Sequence, residues 1–233
     1  VISGNKSSAD EGQGGGVYFK DSNVDLINVT ITGNMSYEGT GIYTDASSGL
    51  TKELYLNNCI LWANGYYTNS DGMPGLWPQI HVDDFGGYID LYVNYSVIQF
   101  GSLEGILIGD HGTLVEMLGF MESSPLFVSP IYPVYGSEPT AEGDFNLLSI
   151  SPCINTGDPE MQDIDESIID VGAYSYNTSI QDEFANVTFV SMDGDNEQNG
   201  TFSTPFRTIQ YAVEKTEREK TILVLHGNYQ ENI

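Results

Sequence analysis

The sequence predicts an all-β fold of the solenoid type, in which short parallel strands stack coil upon coil. Two repeats and the absence of helix signals between them predict it. The segment GGGVYF at 14–19 returns as GTGIYT at 39–44, and LINVTITGN at 26–34 returns as LNNCILWAN at 56–64 and VNYSVIQFG at 93–101. Units that recur every 20–50 residues or so indicate a solenoid, because one strand-and-turn unit cannot bury its apolar face alone.

Within residues 1–63 the predicted strands have alternating faces. Val24 and Leu26, then Val29 and Ile31, are spaced as on a half-buried strand. Gly, Asn, Asp and Ser occupy the corners, where the chain must turn. We therefore expect stacked parallel strands that enclose apolar side chains.

Composition narrows the classes of partner. The chain has 233 residues, 40% of them hydrophobic, which is enough for a sizeable core. Its 33 acidic and 7 basic side chains give a formal charge of −26, which disfavours nucleic acid and anionic membrane surfaces and favours calcium or another hard cation. No apolar run approaches the roughly 18 residues of a spanning helix, so we expect no membrane insertion. The lack of a signal peptide and of a starting Met predicts a processed or excised piece of a longer protein.

Residues 64–80 interrupt the period. Prolines and glycines predict a loop, and Tyr66, Tyr67 and Trp77 make it aromatic. These three rings are candidates for stacking on sugars; alternatively, they cover an opened side of the solenoid.

Residues 79–128 return to strands. His81 and His111 are isolated there, so we interpret them as ordinary polar positions rather than metal ligands. The two cysteines, Cys59 and Cys153, are expected to be small buried residues, and a bridge between them stays open.

Residues 129–175 carry the most specific pattern. PLF at 125–127, SPCINTGDP at 151–159 and DVGAY at 170–174 resemble the terminal coils of secreted right-handed parallel β-helix repeat proteins of bacteria and archaea, within the pectate-lyase-like solenoid superfamily. The likeness covers nearly all of residues 1–175. It implies a right-handed parallel β-helix and an extracellular or cell-surface location.

Residues 176–187 are interpreted as a linker, and residues 188–233 resemble the opening of another β-helix of the same broad family. Thr204 and Pro205 predict the start of a helix at about 205–216, with Phe206 and Ile209 on its apolar face. Such a helix could cap the end of a solenoid. A buried first strand is expected at Thr221–Leu225.

The end of one β-helix thus precedes the start of another. Either the chain is cut from a tandem protein, or it is a subunit whose copies stack head-to-tail. Both alternatives predict a structural, filament-forming and adhesive module whose partners are its own copies or flanking repeats, with carbohydrate as a further candidate partner.

The rival hypothesis is a carbohydrate-active enzyme, a polysaccharide lyase or glycoside hydrolase, or a glycan-binding module. No catalytic residue stands out: residues 1–187 hold three lysines and no arginine, and Asp83 and Asp84 would point to opposite faces of a strand.

Two acidic groups are candidate calcium ligands, although either could be a solvated turn, and no cofactor is otherwise required. The first group comprises Asp193, Asp195, Glu197 and Asn199; the second comprises Asp158, Asp163, Asp165 and Asp170.

Seven Asn-x-Ser/Thr sequons make an exported glycoprotein one alternative, while polar corners would produce such tripeptides by chance. The sequon asparagines are Asn5, Asn28, Asn34, Asn94, Asn177, Asn186 and Asn199.

Overall fold

A computed structural model describes residues 1–7, 12–65, 78–132, 138–176, 187–202, 204–217, 220–225 and 227–231. The described part is mostly β, with two short helices. The strands are β1 (Ile2–Ser3), β2 (Val17–Lys20), β3 (Val24–Ile27), β4 (Thr30–Thr32), β5 (Ile42–Asn57), β6 (Ile60–Trp62), β7 (Ile80–Asn94), β8 (Val97–Ile98), β9 (Ile106–Ile108), β10 (Gly112–Glu116), β11 (Phe127–Ser129), β12 (Asp144–Leu147), β13 (Val187–Val190) and β14 (Thr221–Val224). The helices are α1 (Gly101–Glu104) and α2 (Ile209–Lys215).

Two parallel sheets form the first half of the chain. One has four strands in the order β1-β4-β6-β8. The other has six strands: the order β10-β7-β5-β2 forms its path, β3 also pairs with β5, and β9 also pairs with β7. The long strands β5 and β7 therefore pair with each other along one edge, and along its other edge each pairs with two shorter strands, β2 and β3 for β5 and β9 and β10 for β7.

The predicted repeats pair with one another. Leu26 lies opposite Leu56, and Leu56 lies opposite Val93. In the smaller sheet Ile31 lies opposite Leu61. Register is fixed this way because a slip of one residue would move every apolar side chain to the outer face. The prediction that the repeats form parallel strands in a mostly β fold is thus confirmed.

The core lies between these sheets. Leu54, Leu56, Leu91 and Val93 are at most 2% exposed and belong to one apolar cluster. Their neighbour Tyr55 is half-buried and faces the other way, as alternation along a strand requires. Burying each aliphatic side chain contributes roughly 1.5–3 kcal/mol.

The same corner recurs in successive coils. Asn28 and Asn58 both have φ of 53°, and Tyr95 has φ of 46°. The amide of Asn28 donates to the carbonyl of Asn57, and the amide of Asn58 donates to the carbonyl of Asn94. Asparagine tolerates this left-handed conformation better than most residues, which explains its place at two of the three corners.

Both cysteines are free and fully buried, as predicted for small core residues. Burial raises the pKa of the Cys59 thiol to about 12 and that of Cys153 to about 12. Thiolate, the reactive form, is therefore scarce at neutral pH.

We expect neither thiol to react with a disulfide reagent such as DTNB in the native protein. Two thiols per chain should react once the protein is unfolded in denaturant. Rapid labelling of either cysteine at neutral pH, without denaturant, would contradict the buried positions.

The described residues between 125 and 176 do not extend either parallel sheet. Strands β11 and β12 pair with each other in antiparallel fashion. Their apolar side chains pack with Val171 on Ile60 and Val97, which face away from the main core. The amide of Gly172 donates to the carbonyl of Asn58 at 2.8 Å, and that of Ala173 donates to the Thr30 hydroxyl at 3.0 Å. The segment predicted as terminal coils thus lies against the outer face of the four-stranded sheet.

The C-terminal part forms a smaller unit. Strands β13 and β14 pair in parallel, and α2 packs on them through Ala212. Phe189 in β13 packs against Val128 and Leu148, which joins this unit to the preceding segment. Among the described residues, no helix is long and apolar enough to cross a membrane.

The predicted start of the helix is wrong by about one turn. Helix α2 begins at Ile209, and the side chain of its N-cap residue, Thr208, accepts from the amide of Tyr211 at 3.3 Å. The Thr204–Pro205 signal fails because the next residue, Phe206, is held extended beside Val190 by hydrogen bonds to Phe189 and Ser191. Tertiary pairing has overridden a local preference.

Candidate functional site

Three of the predicted calcium ligands line a common cavity. Asp163, Asp165 and Asp170 border about 440 Å³ of space, together with Ile154, Asn155, Ile164, Ser167, Ser175 and Tyr176. The fourth residue of that group, Asp158, lies apart from the lining. Its carboxylate accepts from the amide group of Asn57 at 3.1 Å and from the backbone amide of Glu160 at 2.9 Å.

The carboxylates of the cavity are engaged with the protein itself. Asp170 is 3% exposed and accepts from the backbone amides of Asn155 and Tyr176. Asp163 accepts from the amide of Asp170 at 2.9 Å. Asp165 accepts from the amide and hydroxyl of Ser167 at 3.1 and 2.6 Å. These bonds satisfy backbone donors of a turn-rich segment, which is a structural role for the same residues.

The environments of Asp170 and Asp165 shift the pKa values of their carboxyl groups in opposite directions. Burial raises the pKa of Asp170 above its ordinary value of 3.8, and the neighbouring Asp163 and Asp165 charges add to this. The Ser167 hydroxyl and amide lower the pKa of the exposed Asp165. The cavity thus combines a carboxylate that resists ionisation with one that favours it.

This difference predicts opposite pH dependences for two variants. The folded state binds the Asp170 proton more tightly than the unfolded state, so the stability of the wild type should fall relative to Asp170→Asn as pH rises from about 3.8. For Asp165 the folded pKa is depressed, so the wild type should gain stability relative to Asp165→Asn as pH rises towards 3.8.

Urea unfolding at a series of pH values between about 2 and 7 measures both differences. Parallel curves for the two variants would show that the environments of Asp165 and Asp170 are alike, contrary to their hydrogen bonds.

The other predicted calcium group lies in a turn between β13 and α2. Asp195 accepts from the amide of Glu197 at 2.9 Å, while Asp193 and Asn199 are exposed. In the part of the chain that the structure describes, no three His, Cys, Asp or Glu side chains are grouped to hold a metal ion. Calcium at either group stays a prediction.

The sequons fall in different environments. Asn34 is fully buried, and its side-chain nitrogen donates to the carbonyls of Ile2 and Thr32 and to Asn64, so a glycan on it would disrupt the fold. Asn94 donates to Glu116 at 2.7 Å. Asn28 is half-buried, and Asn5 and Asn199 are exposed. Asn177 and Asn186 lie outside the described residues, as do the proposed sugar-stacking rings Tyr66, Tyr67 and Trp77. Most of the proposed linker, 177–186, lies outside them too.

Sequence reasoning missed two groups on the outer face of the six-stranded sheet. Tyr55 and Tyr92 stack with ring centroids 4.1 Å apart and planes 10° from parallel. Tyr43 lies edge-on to both Tyr18 and His81, at 5.3 and 4.9 Å. The repeat offsets could have found both groups, since they place these rings on neighbouring strands.

Within the second group, buried Tyr43 donates to the Asp83 carboxylate, and burial followed by this bond raises the pKa of its phenol. Tyr18 donates to Asp45 at 2.6 Å. The side chain of Asp84 lies outside the described residues, and the opposite orientation of Asp83 and Asp84 stays a prediction.

None of the protein-family models, curated proteins or solved structures compared with the chain matches it. A function for this chain therefore has to be inferred from its own sheets and side chains.

Proposed function

We propose that this chain is a structural module of an extracellular or cell-surface repeat protein, built as a right-handed parallel β-helix. Its coils continue into further coils, supplied either by flanking repeats of the same polypeptide or by copies stacked head-to-tail in a filament. Residues 188–233 open the following β-helix. Adhesion at a surface is the role that such a module fits.

The observation that carries the proposal is a column of amide side chains running across successive coils. Asn5 donates to the side-chain oxygen of Asn34 at 2.9 Å, Asn34 donates to that of Asn64 at 2.8 Å, and Asn64 donates to that of Gln79 at 2.8 Å. Asn34 and Asn64 each accept from one coil and donate to the next, while the side-chain nitrogen of Gln79 donates back to the carbonyl of Asn64 at 3.2 Å. A preceding coil could extend this column at its Asn5 end by donating to the Asn5 side-chain oxygen.

The first layer of the stack supports the same view. The inward side chains Ile2, Val17, Phe19 and Leu26 are only partly buried, whereas those of the next layer, such as Ile42, are at most 2% exposed. A further coil would cover this apolar surface and pair with the edges of β1, β2 and β3.

Sedimentation and negative-stain electron microscopy over a range of concentrations test assembly by copies. If copies stack, Phe19→Glu should abolish filaments by placing a charge on the apolar layer. The matched control Tyr18→Glu, which alters the adjacent, 42% exposed outer residue, should leave them. If the wild-type chain stays monomeric, head-to-tail stacking of copies is ruled out. A native polypeptide far larger than 25.5 kDa then supports flanking repeats, and a native mass near 25.5 kDa contradicts them.

A further inference from the structure

The outer face of the six-stranded sheet carries a surface of tyrosines and carboxylates, of which two residues are exposed and four are half-buried. We call it the tyrosine–carboxylate face; it comprises Asp25, Glu53, Tyr55, Tyr88, Asp90 and Tyr92. Alternation places these residues outside, since Leu54, Ile89 and Leu91 between them are buried in the core. The surface crosses three adjacent strands, β3, β5 and β7.

Like charges lie directly opposite each other on this face. Glu53 is the register partner of Asp90, and Asp25 is the register partner of Tyr55, two residues along from Glu53. Like charges on opposed positions of neighbouring strands destabilise a sheet. The three salt bridges found among the described residues, Lys6–Glu138, Lys20–Asp45 and Lys220–Glu217, involve none of these carboxylates. The face therefore offers negative charge that the described part of the chain does not neutralise by a salt bridge.

The tyrosines decide between two classes of ligand. Tyr55 and Tyr92 stack on each other, so one face of each ring is covered and less flat surface is left on which a sugar could stack. Tyr88 is 54% exposed and lies edge-on to His111 at 5.2 Å. Ring edges and an exposed tyrosine suit the hydrocarbon stems of long basic side chains, whose charged ends would reach the carboxylates.

We propose that the tyrosine–carboxylate face binds an extended, Lys- or Arg-rich segment of a partner protein. The basic groups lie between Glu53 and Asp90, and their stems pack on Tyr88, Tyr55 and Tyr92. Charge complementarity favours this partner, since the chain carries 33 acidic and 7 basic side chains. The proposal is independent of filament formation, because these side chains lie on the outer face of the sheet, whereas a further coil would pair with the backbone edge of β3.

Binding of a fluorescent peptide of alternating arginine and serine, measured by anisotropy, tests the proposal. The double variant Glu53→Gln/Asp90→Asn should bind about tenfold or more weakly. The matched control Glu142→Gln/Glu160→Gln removes two exposed carboxylates outside the face and should change affinity by less than about twofold. Tyr88→Ser should weaken binding about fivefold, through loss of the packing surface.

Thermal unfolding accompanies each measurement. The Glu53→Gln/Asp90→Asn variant should unfold at the same or a higher temperature than the wild type, because it removes opposed like charges. Equal weakening in the two double variants would show that the peptide responds to overall charge and would overturn the proposal. Absence of peptide binding, or binding of neutral xylan that Tyr88→Ser abolishes, would also overturn it, the latter in favour of a glycan.

Discussion

Replacing Asn34 with alanine is expected to lower the free energy of unfolding by about 3–5 kcal/mol. The Asn34 side chain is fully buried at the centre of the amide column. Its oxygen accepts from the backbone and side-chain nitrogens of Asn5 at 3.0 and 2.9 Å, and its nitrogen donates to Thr32 and Asn64 at 3.1 and 2.8 Å. Alanine would leave several of these groups without partners and open a cavity beside them.

Urea unfolding followed by circular dichroism measures this loss. Asn199→Ala is the matched control, because Asn199 is an exposed residue in a turn, and its replacement should cost less than about 0.5 kcal/mol. Asn34→Asp should also be destabilising, since a carboxylate cannot donate to the Thr32 carbonyl. A loss of under 1 kcal/mol or so in Asn34→Ala would mean that the amide column does not hold the coils together.

Replacing Gly172 with alanine is expected to cost about 2–4 kcal/mol. Gly172 has φ of 110°, which disfavours any side chain. An added Cβ would also lie 2.7 Å from the Ile60 side chain and 3.0 Å from the Thr30 hydroxyl. Relief of this collision would require the buried Ile60 side chain to leave its position, or the chain around Gly172 to move away from the four-stranded sheet.

The variant Gly49→Ala measures the cost of an unfavourable backbone conformation without a steric collision. Gly49 has φ of 82°, but a Cβ there would meet nothing within 4 Å, so we expect a cost of only about 1 kcal/mol. The difference between the two variants, measured by the same urea titration, reports the contact between Gly172 and the sheet. Equal costs would be evidence against this packing.

The pairing of strands could be predicted because repetition and burial act together. Leu26, Leu56 and Val93 each occupy the same place in their repeat, and only one register buries all three. The amide column could not be predicted, because the sequence at these corners fits two different environments. Asn34 follows a corner glycine, and it also begins a sequon, so its sequence environment fits an exposed residue as well as a buried one.

Other features depend on contacts that a local pattern does not contain. Asp163 and Asp165 carry the oxygen ligands that calcium prefers, yet Asp163 accepts from the amide of Asp170 and Asp165 accepts from the amide of Ser167. Likewise, the pattern at 151–174 predicts terminal coils of the solenoid, and it does not predict the surface against which this segment packs. Ile60 and Val97, on the outer face of another sheet, determine that.

Leu26, Leu56 and Val93 lie side by side on parallel strands, and the packing of the two sheets depends on this pairing. Nuclear Overhauser contacts between backbone protons of isotopically labelled protein can detect it. We expect amide-to-Hα contacts linking Leu26 with the strand of Leu56, and Leu56 with that of Val93, in the evenly spaced pattern of parallel pairs. Strong Hα–Hα contacts between these strands, which antiparallel pairs produce, would contradict the account.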